Sequence, residues 1–156
     1  MYTKINEKDS IMKLGAIYSK EKTTFTLFSP VADSVFVIFY DKGNDSTETG
    51  MLEMVRGEGE LCGIVSATGE GNVDGVYYTY EVHTADGTFS SHDPYARACG
   101  VNGHRSMVID LSKTDPDGFA DEDRPKLADP MSMVITEVSV ADVSAGASAH
   151  SRYPGK

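Results

Sequence analysis

Along residues 14–112, apolar and polar positions alternate in short runs broken by glycine, proline and acidic turns. Thr24-Phe25-Thr26-Leu27-Phe28 alternates with a period of two until Pro30 stops it. Val35-Phe36-Val37-Ile38-Phe39-Tyr40 is apolar on both faces, as a strand enclosed in a sandwich must be. In the next clear run, Val76, Tyr78, Tyr80 and Val82 share one face, and Tyr77, Thr79 and Glu81 share the other. Asp86-Gly87 then predicts a tight hairpin into Thr88-Phe89-Ser90, because both residues tolerate positive φ. Met107-Val108-Ile109-Asp110-Leu111 is a further short strand. With no long amphipathic helix between them, these runs predict an all-β, immunoglobulin-like antiparallel sandwich.

Residues 113–130 change character. Between Asp115 and Pro130 stand six acids, two bases and three prolines, which predict an irregular acidic linker. Ser132-Met133-Val134-Ile135-Thr136-Glu137-Val138-Ser139-Val140 then predicts one more strand. It fades into Ser144-Ala145-Gly146-Ala147-Ser148-Ala149, which has too little apolar surface to order itself. A strand without a partner is no domain, so residues 131–156 are expected to be disordered or paired to a sheet edge.

Charge narrows the partners. The chain has 156 residues, 14 Lys plus Arg against 24 Asp plus Glu, and a net charge of -10. That balance excludes a nucleic-acid backbone or an anionic membrane as an expected partner. No apolar run reaches the roughly 18 residues of a membrane span. The first residues lack the basic and apolar blocks of a signal peptide, so the expected location is cytoplasmic. The two cysteines, Cys62 and Cys99, are expected as small buried thiols in a reducing compartment.

Candidate chemistry is sparse. Gly69-Glu70-Gly71-Asn72-Val73-Asp74-Gly75 leads into a strand, not the helix that a dinucleotide fingerprint requires, and reads as a loop. Ser91-His92-Asp93 has the letters of a hydrolytic triad, but adjacent residues cannot form the relay, and Asp93-Pro94 reads as a turn. His83, His92, His104 and His150 show no zinc spacing, and Asp115-Pro116-Asp117-Gly118 lacks the later acids of a calcium loop. No catalytic, metal or cofactor site is therefore expected. Sugar recognition on a sandwich uses flat aromatic rings and nearby amides. With no Trp in the chain, the candidates are Tyr77, Tyr40, Asn72 and Asn44. Core packing is the better reading for Tyr78 and Tyr80, and the two readings stand level for Tyr77.

Five runs carry a family resemblance: Leu14 to Phe25, Leu27 to Ala32, Gly75 to Val82, Asp93 to Gly103, and Arg105 to Leu111. In this order and spacing they resemble the N-terminal region of type I pullulanases, family-13 glycoside hydrolases that cleave α-1,6 branch links. The resembling stretch, 14–112, is a family-48 carbohydrate-binding module that precedes a catalytic barrel. It follows an N-terminal extension, 1–13, and Met133 to Ser144 resembles the first barrel strand. There Thr136, Ser139, Ala141 and Val143 replace the family's Tyr, His, Arg and Phe. Phe28 stands where the family has Trp, and Leu61-Cys62-Gly63-Ile64 lacks another. The resemblance implies an accessory module that packs on the parent's catalytic barrel and has α-glucan (pullulan, starch or glycogen oligosaccharides) as a further contact. It places the catalytic carboxylates on barrel strands beyond this chain, so no hydrolysis is expected of the chain itself. An independent α-glucan-binding module is the alternative, and a free-standing small hydrolase a distant one.

Overall fold

A computed structural model describes residues 13–123 and 126–155; most of the expected N-terminal extension lies outside them. The chain forms two compact units, Met1–Asp115 and Pro116–Lys156.

The first unit is an antiparallel β-sandwich. One sheet has the order β1 (Gly15–Tyr18), β2 (Lys22–Phe28), β6 (Ile64–Glu70), β5 (Val55–Arg56). The other runs β4 (Glu48–Glu53), β3 (Ser34–Tyr40), β7 (Tyr77–Thr84), β10 (Ser106–Met107), β9 (Ala98–Cys99), and β8 (Gly87–Ser91) also pairs with β7. Alternation sends Phe25 and Leu27 from one sheet, and Val35, Val37, Tyr78 and Tyr80 from the other, into a shared core with Val65 and Val108. Phe25 and Tyr78 meet edge-on with ring centroids 5.0 Å apart. Burying a side chain of this size removes about 1.5–3 kcal/mol of exposure cost. Ile38 shares the outer face with Thr79 and Met51 by register, yet it is only 3% exposed. Its neighbours in the sheet shield it there, while Phe36 and Tyr40 on the same outer face remain half-buried.

Several local expectations shift. The hairpin turn is Ala85-Asp86, since Thr84 pairs with Gly87 and the Asp86 amide donates to Thr84 Oγ1. The Met107–Leu111 strand stops after Met107, because the Asp110 amide donates to Asp74 Oδ1 and Asp110 caps a 3₁₀ turn over Leu111–Lys113. Cys62 and Cys99 are both exposed, not buried. Cys62 closes the 3₁₀ turn Gly59–Leu61, and Cys99 lies on a two-residue strand, so neither position reaches the core.

The second unit holds 3₁₀ turns at Phe119–Asp121, Pro130–Ser132 and Ala147–Ala149 and one short helix, α1 (Val140–Ala145). The strand expected over Ser132–Val140 does not form. Met133 and Ser139 have extended backbone, but no residue between them joins a ladder, and Ser139 instead caps α1 by accepting from the Asp142 amide. A strand needs a neighbour for its amides, and among the described residues of this unit there is none.

Candidate functional site

Asp93 anchors the segment that leads to β9 and β10. It is 2% exposed, and its carboxylate accepts from the Tyr78 hydroxyl at 2.7 Å, the Tyr80 hydroxyl at 3.1 Å and the Tyr95 amide at 2.8 Å. Its own amide donates to Ser106 Oγ at 2.8 Å. Tyr78 and Tyr80 lie two residues apart on one strand, so both hydroxyls point inward and need a common acceptor. Burial, then the Asp93 charge, pushes both phenols well above their ordinary pKa. The sequence reads Asp93 as a turn former. Its carboxylate also accepts from two tyrosines of β7 while its amide donates to Ser106 of β10, which ties β10, and hence Arg105, to β7.

The register joins Tyr40 at the end of β3 to Tyr77 at the start of β7, so two of the four sugar-contact candidates stand side by side on the outer face. The Tyr40 hydroxyl reaches Thr79 Oγ1 on the next strand at 3.3 Å. The Arg105 guanidinium lies over the Tyr40 ring, 3.5 Å from its centroid. The same guanidinium donates to the Lys42 carbonyl at 2.7 Å, to Ser46 Oγ at 2.8 Å and to the Ser46 carbonyl at 2.9 Å. Gly43 is packed so closely that an added Cβ would stand 2.8 Å from Gly100 Cα and 3.0 Å from the Tyr77 ring. The 41–47 segment is thus drawn down on the connection between β9 and β10 and on the Tyr77 ring. Tyr40, Ser46, Thr47, Glu48 and Arg105 line an open hollow there.

The two asparagines are separate from that hollow. Asn44 donates to Asp45 Oδ2 within the same loop. Asn72, between β6 and β7, accepts from the Tyr18 hydroxyl and the Asp74 amide. Beside it, Lys113 donates to Asp74 at 2.5 Å. That hydrogen bond, with the Asp110 amide next, holds the Asp74 carboxyl below its ordinary range and holds the Lys113 amine above its own. Sequence reasoning missed Arg105, a lone base in a turn. Its signal is visible only once the register sets it beside Tyr40.

The outer face of the four-stranded sheet differs in chemistry. Register places Ile17, Thr24, Thr26, Phe28, Val55, Ile64, Ser66 and Thr68 on it, with Lys22 and Glu70 as a pair at one end. Phe28 is 57% exposed and Val55 72%. The intervening positions are uncharged in a chain that is 24% charged, whereas the opposite outer face carries Glu53 and Glu81. Arg56 faces the other way and donates to the carbonyls of Ser29, Ala32 and Cys62, which ties together the loops at the Phe28 end.

Comparison with known proteins gives consistent matches. The family profile described as carbohydrate-binding module 48 (isoamylase N-terminal domain) matches residues 13–96. Pullulanase A of Streptococcus pneumoniae serotype 4 is 30% identical over 116 residues, 70% of this chain and 9% of that protein. The chloroplastic pullulanase 1 of Arabidopsis thaliana is 28% identical over 142 residues, 85% of this chain and 14% of that protein. Among solved structures, the pullulanase from Bacillus acidopullulyticus matches with a TM-score of 0.79 at 35% identity, over 92% of this chain and 17% of that one. The pullulanase from Paenibacillus barengoltzii, solved with maltohexaose and alpha-cyclodextrin, matches with a TM-score of 0.79 at 34% identity, over 93% of this chain and 22% of that one. The chain therefore spans a small fraction of the relatives that it matches.

Proposed function

The chain belongs to the carbohydrate-binding module 48 family, and on that premise we propose that it is the accessory β-sandwich of a pullulanase-like debranching enzyme. In this reading the sandwich packs on the parent's catalytic barrel through the outer face of β1, β2, β6 and β5, and has α-glucan as a weaker, further contact at the Tyr77 end of the other outer face, beside a Tyr40 ring that Arg105 covers.

The observation that carries the packing role is the uncharged sheet face. An exposed sheet face ordinarily carries charged side chains, and one rimmed by Phe28, Val55 and Ile64 with threonine and serine between them suits a partner surface. The glucan role rests on two aromatic side chains, and one of them has its ring face covered by Arg105. Stacking contributes about 1 kcal/mol per ring, so packing is the stronger function. Hydrolysis by this chain alone is not expected. The family profile that it matches is that of a binding module.

A chimera tests the packing role. Residues 13–115 replace the matching region of the Paenibacillus barengoltzii pullulanase, and Phe28→Glu and Val55→Glu are introduced together. Both positions are exposed in the free module, so its urea midpoint should move little. In the chimera the same charges would be buried without partners, and the melting temperature of the catalytic part should fall by several degrees. A chimera that melts alike with and without the two charges contradicts packing through this face.

A further inference from the structure

We infer that Arg105 is a specificity-determining residue: its guanidinium stands where a glucose ring would stack and keeps the Tyr40 side of the outer face closed to glucan. The inference rests on the glucan-contact reading above and adds the residue that decides it.

The geometry is specific. A sugar stacks by laying its C–H face on an aromatic ring at van der Waals distance, and the Arg105 carbon already lies 3.5 Å from the Tyr40 centroid. The ring reaches toward β7, where its hydroxyl meets Thr79, and Arg105 lies over one of its faces. A guanidinium is planar and weakly hydrated, so it stacks on the aromatic face that a sugar would use. Three hydrogen bonds fix it there, to the Lys42 carbonyl, Ser46 Oγ and the Ser46 carbonyl. Those bonds also hold down the 41–47 segment. Gly43 lies against Gly100 and the Tyr77 ring, so a substituent at either glycine would force the two backbones apart. Arg105 is itself placed by β10, whose Ser106 hydroxyl accepts from the buried Asp93 amide. The cover is therefore built into the sheet, and removing the Arg105 side chain exposes the Tyr40 ring, while Gly43 stays packed on Gly100 and Tyr77.

Titration of the folded chain with maltoheptaose, read by amide NMR shifts, tests this. The wild type should show no saturable shift around Tyr40, Ser46 and Thr79. Arg105→Ala should show one, with affinity at least about fivefold above any wild-type binding, as one uncovered ring provides. Adding Tyr40→Ala to that variant should abolish the gain. If Arg105→Ala loses the native spectrum, Arg105→Lys is read in its place. It keeps the charge but cannot form the forked contacts, and should give a smaller gain. A folded Arg105 variant that binds no tighter than wild type overturns the inference, and so does a gain that survives Tyr40→Ala. Wild-type shifts around Tyr77 and Asn72 with no gain in the variants leave the glucan-contact reading standing and sink this inference alone.

Discussion

Replacing Tyr80 by Phe removes one of the three donors that satisfy a buried carboxylate. Asp93 is 2% exposed, and its Oδ2 accepts from Tyr78 and Tyr80 while Oδ1 accepts from the Tyr95 amide. A hydrogen bond to a charged group contributes about 1.5–3 kcal/mol, so Tyr80→Phe should cost about 2 kcal/mol. Tyr78→Phe should cost as much or slightly more, because its bond is shorter, 2.7 against 3.1 Å. The double variant leaves Oδ2 with no donor, and a stripped buried charge costs more than two separate bonds. It should lose about 5 kcal/mol, with a coupling of about 1 kcal/mol beyond additivity. Urea unfolding of the four proteins, with unchanged slope, reads these values from the midpoints. In thermal melts the single variants should fall by about 10 °C, given about 4–8 °C per kcal/mol for a domain of this size. Single changes that cost nothing, or a strictly additive double, would refute the claim that Asp93 is the charged acceptor shared by Tyr78 and Tyr80.

Three further outcomes follow from the same sandwich. Thr23 is fully buried and its hydroxyl finds no partner among the described residues, so Thr23→Val should stabilise the sandwich by about 1 kcal/mol; a destabilised variant in urea unfolding would show that the hydroxyl is bonded. The Lys113 contact depresses the Asp74 carboxyl from its ordinary 3.8, so this contribution is present above that value and is lost as pH falls through the lower folded one. Lys113→Met should therefore flatten the acid limb of a stability-against-pH curve, and an unchanged limb contradicts the clamp. Tyr78 and Tyr80 have raised pKa values, so their contribution holds below about pH 10 and is lost as pH rises and the unfolded phenols ionise. A phenolate-absorbance titration should show these two ionising only with unfolding, and a simple titration of all eight tyrosines near pH 10 contradicts their burial.

The strands of the sandwich were legible wherever burial imposes a period. β2, β3 and β7 alternate or run apolar in the sequence, and they form the core as read. β4 was not legible: Glu48-Thr49-Gly50-Met51-Leu52-Glu53 is an edge strand whose only inward anchor is Leu52, so it has no apolar rhythm. The Ser132–Val140 run has the rhythm of a strand and forms none, because alternation states which face is apolar and says nothing of whether a neighbour is present. At the site, Tyr40 and Tyr77 could be named singly, and their adjacency followed once β3 and β7 were set antiparallel. Arg105 could not be named. A single arginine 65 positions after Tyr40 carries no periodic signal, and its role comes from two crossovers that bring β10 beside β7. Asp93 left a faint trace: two inward tyrosines two residues apart need an acceptor, and the nearest buried acid after them supplies it.

The claim that the uncharged sheet face is where the rest of an enzyme docks is tested most directly by thiol footprinting. In a background with Cys62→Ser and Cys99→Ser, a Val55→Cys thiol should react quickly with iodoacetamide in the free module. In the pullulanase chimera it should be protected about tenfold or more, as a buried interface position with an opening free energy above about 1.4 kcal/mol would be. A Glu53→Cys thiol on the opposite face should react at the same rate in both. Equal reactivity of the Val55→Cys thiol in module and chimera would contradict the account.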